Sequence, residues 1–119
     1  MNTSQIGTQG EEQALQFLLK QGCKLVARIY RVKGGEIDLI VYDKNTLVFA
    51  EVKTRASQAF GGPFAAVTPA KQKRLTLAAA LFIKTNRPKF DSIRFDAVAV
   101  LPNGITQIKN AFTPARMLL

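Results

Sequence analysis

The chain of 119 residues carries 17 lysines and arginines against 8 acidic residues, and it contains no histidine. Its hydrophobic content of 47% is typical of a folded protein, and the length predicts a single domain over residues 1–119. The absence of histidine excludes Ser-His-Asp catalysis and Cys/His metal sites. A net charge of +9 attracts polyanions, which favours a nucleic-acid partner; the alternative is that the charge only keeps the protein soluble.

Cysteine content and the absence of long apolar runs predict the cellular location. Cys23 is the only cysteine, so an internal disulfide is excluded and a reducing cytoplasm is expected. We expect its side chain to be a small buried apolar group. The opening "MNTSQIGTQGEEQ" lacks the basic and apolar regions of a secretory signal, and no apolar run approaches the ~20 residues that span a bilayer. We therefore expect a cytoplasmic protein with no membrane partner.

The first half of the chain predicts one helix followed by three strands. Thr8-Gln9-Gly10-Glu11 fits a capping box, and the apolar spacing after it predicts a helix over residues 8–21. β-branched and aromatic runs predict strands over residues 23–32, 36–42 and 46–54. Asp43, Lys44 and Asn45 fit a tight turn between the last two strands.

The second half predicts a helix followed by two strands. Residues 56–67 contain Gly61-Gly62-Pro63 and no clear period, which is typical of a loop. Thr68 fits an N-cap with Pro69 at the first helical position, and this helix is expected to end at Asn86-Arg87-Pro88. Its expected buried stripe is Leu75, Ala78, Ala79 and Phe82. Strands are predicted over residues 92–101 and 104–112, joined by a turn at Pro102-Asn103-Gly104.

The predicted hairpin of residues 36–54 contains several acidic residues beside apolar ones. If its turn is centred between residues 44 and 45, Asp38 lies opposite Glu51, and Glu36 lies opposite Lys53. Strand alternation puts Glu36, Asp38, Ile40 and Tyr42 on one face and Ile37, Leu39 and Val41 on the other. In the second strand Phe49, Glu51 and Lys53 share a face.

Two opposed carboxylates on an apolar hairpin require either a shared proton or a cation between them. Mg²⁺ is often held by one or two carboxylates together with substrate phosphate oxygens. Such an ion would lower the pKa of a water and polarise a phosphoryl oxygen, while Lys53 stabilised the developing charge or assisted the water. The alternative is a surface network in which Glu51 and Lys53 only pair with Asp38 and Glu36.

Asp38 followed by Glu51-Val52-Lys53 resembles the PD-(D/E)XK motif of restriction-endonuclease-like nucleases. The blocks "GEEQALQFLLKQG", "GGEIDLIVYD", "LVFAEVKTR", "FGGPFAAVTPAKQKRL" and "RFDAVAV" resemble the YraN-type family of small bacterial proteins, which are related to archaeal-type Holliday-junction resolvases. This resemblance covers residues 7–113. It implies a restriction-endonuclease-like α/β fold, with a mixed central sheet flanked by helices in the order α-β-β-β-α-β-β.

The resemblance also implies roles for single residues. Asp38 and Glu51 match the acidic positions of the motif and Lys53 matches its lysine, which makes these three the candidate catalytic residues. Glu11 matches a glutamate of the first helix that completes the metal site, whereas Glu12 is a weaker candidate. The alternative for Glu11 is the carboxylate of the capping box.

These observations lead to the hypothesis of a Mg²⁺- or Mn²⁺-dependent endonuclease that acts on DNA, of branched or structured form, as a homodimer. Cations at the start of a helix are unfavourable against its dipole, which suggests that they contact phosphate. The expected nucleic-acid-binding residues are Arg55, Lys71, Gln72, Lys73 and Arg74. The main alternative is a nuclease-derived module that binds nucleic acid without cleaving it. A basic ribosome-associated protein would explain the charge but not the carboxylates.

Overall fold

The structure, a computed structural model, describes residues 3–55 and 67–114, with side chains from residue 9 onward. Two helices and five strands follow one another in the predicted order, so the expectation of an α/β fold is confirmed. Their bounds are α1 Thr3–Lys20, β1 Lys24–Val32, β2 Gly35–Asp43, β3 Thr46–Thr54, α2 Pro69–Asn86, β4 Ser92–Leu101 and β5 Gly104–Ile108.

The five strands form one mixed sheet in the order β1-β2-β3-β4-β5. β3 and β4 are parallel, and every other neighbouring pair is antiparallel. The parallel pair requires a crossover connection, which contains α2, whereas tight turns connect the antiparallel strands.

The helices cover opposite faces of the sheet, so each face contributes to its own core. α1 packs on a cluster that contains Leu39, Val41, Val48, Ala50, Val98 and Val100. α2 packs on a cluster that contains Ile37, Ile40, Leu47, Phe49 and Phe95. Cys23 is buried in the first cluster, as expected for a small apolar residue.

The prediction for α1 is wrong at its N-terminus. The helix begins at Thr3, five residues before the predicted start, so the proposed capping box lies inside the helix. Gly10 is therefore a residue of the helix interior, where glycine costs ~1 kcal/mol relative to alanine. A Cβ at this position would overlap the Thr54 side chain. The glycine, which immediately precedes Glu11 in α1, lets the helix approach the end of β3.

The prediction for α2 is confirmed. The Thr68 hydroxyl accepts a hydrogen bond from the Lys71 backbone nitrogen at 3.3 Å, and Pro69 occupies the first helical position. The four residues of the predicted stripe are buried. Arg87, with φ of 47°, ends the helix in the left-handed region. Residues 56–66, which make up nearly all of the predicted loop, lie outside the described residues.

The predicted register of the β2–β3 hairpin is confirmed from Asp43, which pairs with Thr46, to Leu39, which pairs with Ala50. The ladder stops there, so the expected pairings of Asp38 with Glu51 and of Glu36 with Lys53 do not occur. From Glu51 onward β3 pairs only with β4. The two strands therefore separate beside the acidic residues.

Strict alternation along β2 is also wrong. Ile37 packs with Ile40 on the α2 side, although the alternating pattern puts these residues on opposite faces. The interruption lies at Asp38, next to Ile29 of the neighbouring strand, which has a φ of 50°. A residue with positive φ locally changes the strand direction, and the pleat of β2 changes with it.

The last predicted strand is too long, since β5 ends at Ile108 and not at residue 112. Asn110 has a φ of 55° and donates its backbone N–H to Asp96 Oδ1 at 3.1 Å. The fully buried Asp96 carboxylate also accepts hydrogen bonds from Gln107 and, at 2.8 and 3.0 Å, from Arg94. This network holds the chain where it leaves the sheet after β5.

Neither of the two helices is long and apolar enough to cross a lipid bilayer, as far as the described residues go.

Replacing Gly10 by alanine is expected to destabilise the protein by about 1–2 kcal/mol, because the added methyl group meets Thr54 and overpacks the contact of α1 with β3. In a Thr54→Ala background the same change should be neutral or stabilising, since alanine is the better helix former. Urea unfolding of the four variants of this cycle measures the difference. Equal effects of Gly10→Ala in both backgrounds would show that Thr54 is not the cause.

Candidate active site

A cleft of about 430 Å³ opens where β2 and β3 separate, between the end of β3 and the first turns of α2. Carboxylates and cations from α1, β2, β3 and α2 meet in it. Its lining consists of Glu11, Glu36, Asp38, Glu51, Val52, Lys53, Thr54, Arg55, Lys71, Arg74 and Leu75. All three residues expected to be catalytic and all three expected to be metal ligands therefore lie in one cleft.

Asp38 lies at the point where the β2–β3 ladder ends. Its Oδ2 accepts a hydrogen bond from the Val52 backbone nitrogen at 2.7 Å, so a side chain satisfies a donor that a longer ladder would have paired with backbone. Burial raises the pKa of Asp38 from its ordinary value to about 6; the Val52 hydrogen bond opposes this shift, and the charges of Glu11 and Glu51 add to it. A cation near this carboxylate would favour its ionised form.

Glu51 is held between two lysines. Its Oε1 lies 2.9 Å from Lys53 Nζ and 3.4 Å from Lys71 Nζ, and only 12% of the side chain is exposed. Its Oε2 is buried and has no hydrogen-bond partner among the described residues. Burying a carboxylate oxygen without a donor is costly, so this atom marks a position where a further positive group would be stabilising.

The two lysines interact with each other as well as with Glu51. Burial lowers the pKa of Lys71, and the adjacent Lys53 lowers it further. Burial also opposes the charge on Lys53, but its contacts with Lys71 and Glu51 leave its pKa above the usual lysine value. Lys71, expected from the sequence to contact phosphate, is thus also a partner of the motif glutamate.

Of the two adjacent glutamates in α1, only Glu11 lines the cleft. Burial raises its pKa, and the Glu36 carboxylate adds to the effect. Glu12 points elsewhere: it accepts a hydrogen bond from Arg28 at 2.9 Å and another from Gln16. The capping alternative for Glu11 is excluded, because α1 begins eight residues earlier.

Glu36 also lines the cleft, and its ion-pair partner is not the one expected. It lies 3.4 Å from Arg31 of β1, and not against Lys53. Arg31 is directly opposite Glu36 in the β1–β2 ladder, whereas the β2–β3 ladder ends before Glu36.

The expected nucleic-acid-binding residues divide into two groups. Arg55, Lys71 and Arg74 line the cleft. Gln72 and Lys73 do not: the Gln72 amide donates to the Val67 carbonyl oxygen at 3.2 Å, and Lys73 is exposed. The structure thus brings three of the five cations and polar residues to the carboxylates.

Sequence reasoning missed Thr54 and the Val52 backbone N–H as parts of the site. Both depend on how α1 and β2 pack around the end of β3. The one available signal was Gly10, because a glycine inside a helix often marks a close approach.

The donor set fits a hard divalent cation. No three acidic or cysteine side chains lie close enough to form a complete ligand cage, within residues 9–55 and 67–114. Mg²⁺ is nevertheless commonly bound by one or two carboxylates, with water and substrate phosphate supplying the rest. The desolvated Asp38 and the unpartnered Glu51 Oε2 meet this requirement. Glu11 and Glu36 are the further carboxylates of the cleft.

Comparison with known proteins gives one family. The model of the uncharacterised protein family UPF0102 matches residues 10–100. A UPF0102 protein of Herminiimonas arsenicoxydans is 46% identical over 89% of this chain and 85% of its own length. A UPF0102 protein of Caldicellulosiruptor saccharolyticus is 43% identical over 94% of this chain and 100% of its own length. One of Cupriavidus necator is 46% identical over 93% of this chain. None of these names states an activity.

Replacing Asp38 by asparagine is expected to stabilise the metal-free protein above about pH 6. The folded carboxyl ionises near pH 6 and the unfolded one near its ordinary 3.8, so wild-type stability falls as the pH rises between these values. Asparagine has no charge to bury, yet it still accepts the Val52 hydrogen bond. With ~1.4 kcal/mol for each pKa unit, the gain is at most about 3 kcal/mol.

Denaturant unfolding from pH 3.5 to 8, in the presence of a chelator, measures this difference. Glu12→Gln is the control, because that exposed carboxylate has a lowered pKa and its loss should bring no gain at high pH. An Asp38→Asn protein less stable than wild type at pH 8 would contradict the burial of an unfavourable charge.

Proposed function

We propose that this chain, which belongs to the uncharacterised protein family UPF0102, is a divalent-metal-dependent endonuclease that acts on DNA. The single observation that carries the proposal is the cleft in which the desolvated Asp38 and the unpartnered oxygen of Glu51 lie beside Lys53. A desolvated carboxyl group and a buried carboxylate oxygen without a donor, in a protein with a net charge of +9, fit a cation together with a phosphodiester.

In this proposal Asp38 and Glu51 hold the metal, with Glu11 as a further ligand. A bound Mg²⁺ or Mn²⁺ supplies Lewis acidity to a phosphoryl oxygen and lowers the pKa of a water. The Val52 N–H already fixes the direction of the Asp38 carboxylate, so its other oxygen would bind an ion without further ordering of the side chain. No nucleophile from the protein is required.

The lysines and arginines of the cleft provide charge for the phosphodiester. Lys53, 2.9 Å from Glu51, stabilises negative charge that develops on the phosphate or holds the attacking water. Lys71 approaches the same carboxylate from α2. Arg55 and Arg74, at the rim, contact the DNA backbone on either side. Gln72 and Lys73 would bind only DNA that extends beyond the cleft.

The arrangement of elements supports a restriction-endonuclease-like fold. A mixed sheet carries one helix on each face, and an acidic hairpin is followed by a parallel strand reached through α2. Since one small domain holds one such cleft, we propose that two copies form a homodimer to cut both strands of a branched or structured DNA. Access to chromosomal DNA makes the cytoplasm its proposed location.

A nucleic-acid-binding module without cleavage is the second candidate. Both lysines already lie on Glu51 Oε1, so the carboxylate is partly neutralised without a metal. Such a protein would bind DNA through the same cations. The two candidates differ in their requirement for metal.

With Mg²⁺ or Mn²⁺, wild-type protein is expected to cut a four-way DNA junction in preference to a linear duplex of the same sequence. Glu51→Gln and Asp38→Asn should each lower the cleavage rate at least ~100-fold, the scale expected for losing a group that organises transition-state charge. Denaturing gels of end-labelled DNA measure the rates. Glu12→Gln is the matched control, because it removes a neighbouring carboxylate outside the cleft and should cut like wild type.

Metal binding is tested separately from cleavage. Mg²⁺ should raise the melting temperature of wild type and of Glu12→Gln but not of Glu51→Gln. DNA binding that depends steeply on salt, without metal uptake or cutting, would establish the binding module and exclude the nuclease.

A further inference from the structure

A second cavity, of about 510 Å³, lies at the end of the sheet away from the cleft. It is formed where β2 ends, β3 begins and the chain leaves α2. Its lining consists of Gly22, Lys24, Tyr42, Lys44, Asn45 and Lys89. Three of these six residues are lysines, and no acidic residue is among the described residues of the lining.

The three lysines come from separate parts of the chain and are held by defined backbone contacts. Lys24 of β1 pairs directly with Tyr42 of β2. The Tyr42 hydroxyl donates a hydrogen bond to the Lys89 carbonyl oxygen at 2.6 Å, which ties the segment after α2 to the sheet. Lys44 occupies the tight turn with a φ of 55°. The cluster is therefore organised by the fold and does not result from neighbours in sequence.

The positive charge of this cavity is not neutralised locally. None of the three lysines lies within ion-pair distance of a carboxylate in the part of the chain that the structure describes. Asp43, between Tyr42 and Lys44 in sequence, pairs instead with Arg94 at 3.1 Å and Lys109 at 3.8 Å. Asp91 is near the cavity, since its backbone N–H donates a hydrogen bond to the Asn45 carbonyl oxygen, but it does not line the cavity.

We propose that this lysine cavity binds a phosphate-bearing anion. Lysine ammonium groups are common phosphate ligands, and three exposed lysines line one concave volume here. The Asn45 amide offers a further donor of the kind that phosphate oxygens accept. Lys44 lies six residues from Asp38 along the chain, or roughly 20 Å at ~3.4 Å per strand residue. The site is thus distinct from the cleft and does not depend on the proposed nuclease activity.

The anion has two possible sources, a free phosphate compound or the backbone of a nucleic acid. The fluorescence of Tyr42 can report binding of a free phosphate compound. The chain has two tyrosines and no tryptophan, so only Tyr30 contributes a further signal. Tyr30 packs against Phe82 in the core and can be replaced by phenylalanine. In this background, pyrophosphate titrated without metal should change the Tyr42 fluorescence to saturation. Lys44→Gln/Lys89→Gln should weaken the pyrophosphate affinity at least ~10-fold, the loss of about one charged hydrogen bond.

For a nucleic-acid source, anisotropy of a labelled duplex measures affinity against salt concentration. Loss of two phosphate contacts should reduce the slope of log K against log salt by about 2. The charge-matched control is Lys20→Gln/Lys84→Gln, which removes two exposed helix lysines that do not line the cavity. Neither assay contains metal or measures cleavage, so failure of the nuclease proposal leaves this test valid.

If pyrophosphate changes the Tyr42 fluorescence and Lys44→Gln/Lys89→Gln abolishes this response, the ligand of the cavity is a free phosphate compound. A reduced salt slope without a pyrophosphate response assigns a nucleic-acid backbone. If the cavity variant matches the charge-matched control in both assays, the lysine cavity is not an anion site and the proposal is wrong.

Discussion

The hydrogen bond from the Val52 backbone nitrogen to Asp38 determines how the rest of the cleft is built. Where β2 leaves β3, a backbone donor would be left unpaired, and the Asp38 carboxylate takes the place of the missing strand. Because a side chain and not a backbone carbonyl accepts this hydrogen bond, β2 and β3 can separate here, and the direction of the carboxylate is fixed. The ends of β3 and α2 can then bring Glu51, Lys53 and Lys71 to the same space.

The buried carboxylates of the cleft lower the stability of the folded protein. Burial raises the pKa of Asp38 to about 6, and Glu51 keeps an oxygen without a donor. Groups that are unfavourable in the protein alone are typical of sites that bind something charged. The same reasoning distinguishes Asp96, which is more deeply buried but has four donors from Arg94, Gln107 and Asn110. The carboxylate of Asp96 is therefore satisfied within the protein, whereas Glu51 keeps an oxygen without a donor.

The two ends of the sheet therefore carry different chemistry. At one end, carboxylates and cations are mixed in the cleft; at the other, the charged residues in the described lining of the lysine cavity are all lysines. Family membership adds no activity to either, because UPF0102 is defined by sequence and not by a reaction. Assignment of function consequently depends on the local balance of charge and burial at each end.

The sequence by itself determined the element order, the cap of α2 and the register of the β2–β3 turn, and it selected Asp38, Glu51 and Lys53 as candidate site residues. These follow from local periodicity, turn chemistry and short motifs. Only the tertiary structure decided where the ladder ends, which of Glu11 and Glu12 faces the cleft, and that Lys71 contacts Glu51. The role of Gly10 was missed because it depends on Thr54, forty-four residues away. Contacts between distant segments leave no periodic signal in the chain, and packing alone selects them.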